Sequence, residues 1–298
     1  MVSPSLGNQL SHMIKTRIHL IAIALCGVLS GQTAAAQSPW TQGRAGFLLR
    51  ASLEVIPKYS TYYFRTVENN VKPLERSLST QTLQFYGEYG ITRKTTVIAE
   101  IPFCFVHSGN VINDASTQLQ RGSLRNFGNV GIAVRHNFIS EKFTFSGQLR
   151  VDLPGGEVNL HTGLSTGYAE GAATALLSLG RHYGRAYWFV YGGGGARGII
   201  KNNYIRGGGE TGCKLNRHWI AVYADFLENT GSEANPGFLP NIKTALYQPD
   251  VSYWMVGAKG IFAFSRFWGT QVAIYRPVAG HLIYRQVALN AGVYFKWE

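Results

Sequence analysis

Hydrolysis on a β-strand needs a nucleophile and a base within hydrogen-bond reach, which in sequence means a serine and a histidine at i and i+2 on one face. No such pair exists: His107 and Ser108 are adjacent and point oppositely. His136 falls on an apolar face near a short turn, where a girdle residue belongs, and His161 falls in a loop. No acids or histidines have metal-ligand spacing, so no catalytic residue, metal or cofactor is assigned. What remains is a set of charges at the polar positions of alternating segments: Arg50, Glu54, Glu88, Glu100, Arg135, Arg150, Asp152, Arg206, Glu210, Lys214, Asp225 and Lys259. They can pair across a narrow lumen and stop it from swelling. They can equally line a path for a small solute, with Tyr86, Tyr223, Tyr253 and Tyr275 as flat surfaces beside hydrogen-bonding groups.

The elements that position these residues are segments of period two. The clearest is Tyr284–Trp297, in which Val287, Leu289, Ala291, Val293, Phe295 and Trp297 share one face while Asn290, Tyr294 and Lys296 share the other. An alternation of this length is a strand with one apolar and one polar side. Its aromatic end fits a membrane interface better than a packed core. It also resembles the C-terminal assembly signal of outer-membrane barrels, with Glu298 following Trp297 as a departure.

Eleven further segments alternate in the same way, around Phe47–Val55, Leu78–Ile91, Thr95–His107, Val130–Phe138, Phe143–Leu153, Glu170–Gly180, Tyr187–Ile200, Tyr204–Leu215, Trp219–Glu228, Val251–Phe264 and Phe267–Arg276. Twelve is an even number, and the connections sort by length. Turns such as Thr92-Arg93-Lys94 and Ser140-Glu141-Lys142 are short; polar loops Ser108–Leu124, Pro154–Tyr168 and Asn229–Pro249 are long. This sorting predicts a closed antiparallel transmembrane β-barrel of about twelve strands, with short periplasmic turns and longer extracellular loops. A composition of 35 glycines, 13% aromatics and a mean hydropathy of −0.04 suits a greasy exterior around a polar bore. The runs Gly192–Gly195 and Gly207–Gly209 carry no side chains to alternate, and are expected to be bulges or points of curvature, or to clear space beside a lumen element.

At the amino terminus, Lys15 and Arg17 precede the apolar run Leu20–Leu29, and Ala34-Ala35-Ala36 follows. That is the layout of a secretory signal peptide over residues 1–36, with Met13 as an alternative start and a barrel over 37–298. Cys26 follows Leu25, where a lipobox needs a small residue, so a lipid anchor is not expected. Removing 1–36 takes away only Lys15 and Arg17, leaving 26 basic and 16 acidic residues. Such a chain would meet outer-membrane lipids, lipopolysaccharide phosphates and the barrel-assembly machinery of a Gram-negative envelope as a monomer, and carries no module for nucleic acid. Cys104 and Cys213 are expected to be free, buried thiols.

The run Val151–Gly180 carries Leu153, Pro154, Gly156, Thr166, Gly167 and Tyr168. In these residues it resembles the Leu-Pro-x-Gly, then Thr-Gly-aromatic hairpin of a putative outer-membrane transporter family associated with the meta-cleavage pathway of phenol degradation. Gly155 stands where that family more often has Thr or Ser. The resemblance implies passive entry of a small-molecule solute, hydrophobic or aromatic. An occluded structural or adhesive barrel and an envelope hydrolase are the rival roles.

Overall fold

The computed structural model describes residues 38–65, 71–111, 119–198, 202–230, 247 and 250–297. The expected signal peptide, Met13 and Cys26, part of Ser108–Leu124, most of Asn229–Pro249 and the final Glu298 lie outside the described residues. Among those described, the strands in chain order are β1 (Phe47–Tyr63), β2 (Val71–Gly90), β3 (Thr95–Val111), β4 (Gly122–Phe127), β5 (Val130–Ser140), β6 (Thr144–Leu153), β7 (Val158–Asn159) and β8 (Leu164–Ser165). They continue with β9 (Ala172–Tyr183), β10 (Ala186–Arg197), β11 (Asn202–Leu215), β12 (His218–Asn229), β13 (Ser252–Ala263), β14 (Trp268–His281), β15 (Ile283–Tyr284) and β16 (Ala288–Trp297).

Twelve of these strands form a closed antiparallel cylinder, in the ring order β1-β2-β3-β5-β6-β9-β10-β11-β12-β13-β14-β16. Strand β1 closes it by pairing with β2 on one side and β16 on the other, so Arg50 opposes both Tyr86 and Tyr294. A closed wall satisfies every ladder hydrogen bond and leaves no edge, which is what a spanning sheet requires. Strand β4 continues the line of β5 along the upper half of β3, and β15 pairs with the top of β1. The small hairpin β7–β8 folds from the β6–β9 connection, with Leu164 and Ser165 fully buried.

The two faces of the wall have opposite chemistry. On β5, Ala133, Arg135 and Asn137 are buried while Ile132, Val134 and Phe138 are exposed. Leu149, Val151, Leu177, Val190, Val222 and Ile274 project outward in the same way. The apolar rows therefore wrap the outside and the polar rows face the bore. Aromatic side chains gather at the short-turn end, where Phe267 stacks on Trp297 with centroids 5.2 Å apart and Trp268 meets Phe295 at 4.7 Å.

Three sequence expectations need correction. The hairpin β1–β2 runs beyond Val55 to Tyr63, and β4 occupies part of the expected loop Ser108–Leu124, because register shifts at Ile56/Tyr59, Tyr59/Thr61 and Arg76/Leu78 break the alternation that marks a strand. The β10–β11 glycines are not bulges: Gly192 to Gly195 pair in unbroken register with residues Gly207 to Tyr204. Cys213 is exposed rather than buried, since β11 turns its odd positions outward; Cys104, on the inner face of β3, is buried.

Candidate functional site

The inside of the cylinder is divided along its length. At the short-turn end, residues 38–46 turn back into the bore before β1 begins. Ser38 and Gln42 are almost fully buried there. Gln42 donates from its backbone N–H to Thr96 Oγ1 at 2.8 Å and from Nε2 to Glu88 at 2.5 Å. Arg135 donates to the carbonyl of Trp40 at 2.7 Å and to Gln148 at 3.1 Å, and its Nη1 stands 3.5 Å from Glu88. The indole of Trp40 lies 4.3 Å from the ring of His182 and 5.6 Å from those of Tyr187 and Phe189. Strand β10 is halfway round the ring from β1. The segment therefore spans the bore and forms its floor.

Glu88 and Arg135 belong to this floor rather than to an open path. Glu210 and Lys259 form a second buried pair in the same lower half, at 2.7 Å, with Tyr187 donating to Glu210 at 2.6 Å. Lys214 lies near the short-turn end, over Trp219. A buried ion pair of this kind contributes little net stability, but removing one partner strands the other charge.

Above the floor is a chamber of about 390 Å³. Arg50, Glu54, Glu100, Arg150, Asp152, Arg206 and Asp225 line it, together with Tyr86, Tyr223, Tyr253 and Tyr275. Arg150 holds Glu100 at 2.5 Å and Asp152 at 2.6 Å, and Arg206 holds Asp225 at 2.8 Å. Tyr275 donates to Glu54, Gln84 donates to Glu100, and Arg50 lies 4.6 Å over the ring of Tyr86. These pairs join strands that are neighbours or next neighbours, so they run along the wall. These chamber charges do not pair across the lumen, although at the long-loop end Arg65, just beyond β1, pairs with Glu228 of β12 at 2.6 Å.

Sequence reasoning missed the residues of the upper rim. Tyr168, Arg197, Tyr204 and Tyr247 all line the chamber from the long-loop side. Arg197 stacks 3.5 Å from the ring centroid of Tyr168, and Tyr168 meets Tyr247 edge-on at 5.5 Å. Burial pushes the Tyr247 phenol well up, so it stays a neutral hydroxyl beside the Cys104 sulfur, 3.5 Å away. The signal for Tyr168 was present in the motif. Thr166 is fully buried, accepts from the Glu157 N–H at 3.0 Å and donates to the Phe127 carbonyl at 3.1 Å. The N–H of Tyr168 itself donates to Asn129 Oδ1 at 2.6 Å. The motif thus folds the β6–β9 connection inward and carries Tyr168 to the chamber. Beside it, Arg76 anchors the same connection from β2, donating to the carbonyls of Gln120 and Thr162 and to the Ser108 hydroxyl.

A closed twelve-strand cylinder with lipid-facing apolar rows, an aromatic girdle and a polar interior is a transmembrane β-barrel of the outer-membrane type. The COG4313 outer membrane channel from Pseudomonas putida F1 has this fold, with a TM-score of 0.66 at 12% identity over 89% of this chain and 100% of that one. The translocator domain of autotransporter NalP from Neisseria meningitidis gives a TM-score of 0.48 at 10% identity over 98% of each chain. The Pseudomonas putida toluene transporter TodX gives 0.42 at 11% identity over 89% of this chain and 93% of that one. No family model matches the sequence, and no curated protein matches it.

Proposed function

We propose that this protein is an outer-membrane channel for passive entry of small apolar or aromatic molecules, with the chamber as a binding station and the amino-terminal segment as its lower door. The observation that carries this reading is the chamber itself, about 390 Å³ of space inside a closed wall. Protein interiors ordinarily fill to crystal-like density, so a space walled by self-paired charges and flat rings suits an occupant that comes and goes. The fold shared with an outer membrane channel supports the same reading. The motif resemblance to the phenol meta-cleavage family supports an aromatic solute, because its residues bring Tyr168 to the chamber. The short turns would face the periplasm, and the long loops would face lipopolysaccharide. Residues 1–36 would direct export, the assembly machinery would insert the barrel, and it would work as a monomer without cofactor or catalytic step.

Solute would enter at the long-loop end, rest against the tyrosines and leave when residues 38–46 move aside. Conductance in planar bilayers tests this, on the full chain and on a chain lacking residues 38–45. The shortened chain is expected to give larger and more frequent steps. Silence from both would remove the channel and leave an occluded structural or adhesive barrel, the reading favoured by the dense hydrogen bonding of Gln42 and Arg135.

A further inference from the structure

The chamber also carries a statement about what kind of molecule it holds, and that statement rests on the channel reading above. Four guanidinium groups line the space, those of Arg50, Arg150, Arg197 and Arg206. Arg150 and Arg206 are held by carboxylates, and Arg50 lies over Tyr86. Arg197 is different. It is only 7% exposed, yet among the described residues its side chain forms no ion pair and no hydrogen bond. Its guanidinium lies between two rings, 3.5 Å from the centroid of Tyr168 and 5.5 Å from that of Tyr204.

A guanidinium presents five N–H donors around the edge of a plane. Stacking occupies the face and leaves the edge. No nitrogen of Arg197 is among the enclosed side-chain atoms that lack a partner, and the residue lines the chamber. A buried cation in that state is a receptor for an anion that the described residues do not supply. The planar fork matches a carboxylate through two parallel hydrogen bonds.

We propose that Arg197 anchors the carboxylate of a small aromatic acid, whose ring lies among Tyr168, Tyr204, Tyr247 and Tyr253. A single-ring acid fits a chamber of about 390 Å³. Glu170 sets the strength of the hold. It lines the same chamber without pairing with Arg197, its carboxylate lying where a side chain at Gly198 would stand. An acid that close to the anchor repels an anionic solute and keeps its binding weak enough for release, as conduction requires.

Isothermal titration of the purified full chain in micelles with benzoate, benzamide and cyclohexanecarboxylate tests the proposal. Benzoate is expected to bind at one site, with the neutral isostere benzamide at least about tenfold weaker and the non-aromatic acid also weaker. Arg197→Met should abolish the preference for benzoate over benzamide, and Glu170→Gln should tighten benzoate. Arg197→Lys, which keeps the charge and loses the fork, should fall between, and it carries the test if the Met variant does not fold. Absent benzoate binding, equal binding of benzoate and benzamide, or unchanged benzoate affinity in Arg197→Met would overturn the proposal. Bilayer recordings on the same preparation separate the two ideas. Conductance without benzoate binding sinks the anchor and spares the channel; benzoate binding in a chain that stays silent without residues 38–45 spares the anchor and sinks the channel.

Discussion

The ring of Tyr204 lies against the wall over Gly195, its partner across the β10–β11 ladder, where a methyl group would stand 2.6 Å from the ring and its hydroxyl. Tyr191 lies over Gly208 and Tyr187 over Gly212 in the same manner. Glycine removes the side chain that would otherwise lift each ring, and the ring in turn covers the bare backbone. Gly195→Val should therefore tip Tyr204 into the chamber and break its 2.6 Å hydrogen bond with Thr174. A loss of about 1–3 kcal/mol is expected from the overpacking, read from urea unfolding of the micelle-bound protein. Stability unchanged by the substitution would mean that the glycine run has another purpose.

The floor makes a second prediction. Arg135 is fully buried and ties three partners together, the Trp40 carbonyl, Gln148 and Glu88. Replacing it with Met leaves the buried Glu88 carboxylate without its cation, which costs about 3–5 kcal/mol. Adding Glu88→Gln should restore part of that loss, so the double variant is expected to be more stable than the sum of the single losses. Additive losses would show that the two charges act independently.

Much of this was legible because lipid outside and polar bore inside impose a strict period of two, which Val130 to Phe138 and Thr144 to Leu153 display directly. The floor was not, since Ser38 to Gly46 has no period and reads as a polar leader; its burial comes from Arg135 and Trp40 meeting partners on opposite walls. Arg197 was hidden for a different reason. It ends a strand and follows Ala196 and the four glycines Gly192 to Gly195, so no alternation fixed which way it faces, and the ladder to β11 had to supply the register. Tyr247 sits in a long loop, where sequence spacing places nothing. The glycines stayed open between bulge, curvature and cleared space, because a bare strand gives no sign of a covering ring that sits on the neighbouring strand.

The outer surface makes a third prediction. Val222, at mid-length on β12, is 54% exposed and has an apolar setting. Val222→Arg should cost about 2–4 kcal/mol of folding stability in bilayers, as a cation at the midplane does, while Val222→Leu should be close to neutral. Folding titrations into lipid vesicles measure both. An Arg variant that folds as well as the parent would place this face against something other than lipid.

The hairpin of the β6–β9 connection supplies the last prediction. Gly156 packs so closely on Gly167 that a methyl group would sit 2.5 Å from the Gly167 Cα and carbonyl carbon. The neighbour is backbone, which cannot swing aside as a side-chain tip can. Gly156→Ala must therefore push the two arms of the hairpin apart, straining the hydrogen bonds by which Thr166 joins Glu157 to Phe127. Because Tyr168 follows two residues later and is held through Asn129, the stack on Arg197 and the edge contact with Tyr247, the displacement reaches the chamber rim. The ladder of the barrel wall does not run through the hairpin, whose two strands form a sheet of their own. Gly156→Ala is thus expected to leave unfolding of the cylinder nearly unchanged, within about 1 kcal/mol, while weakening benzoate binding by about tenfold. Asn129→Ala, which removes the acceptor for the Tyr168 N–H, should do the same to binding. Equal losses of stability and of binding would instead make the hairpin part of the wall, and the motif a folding device with no role at the rim.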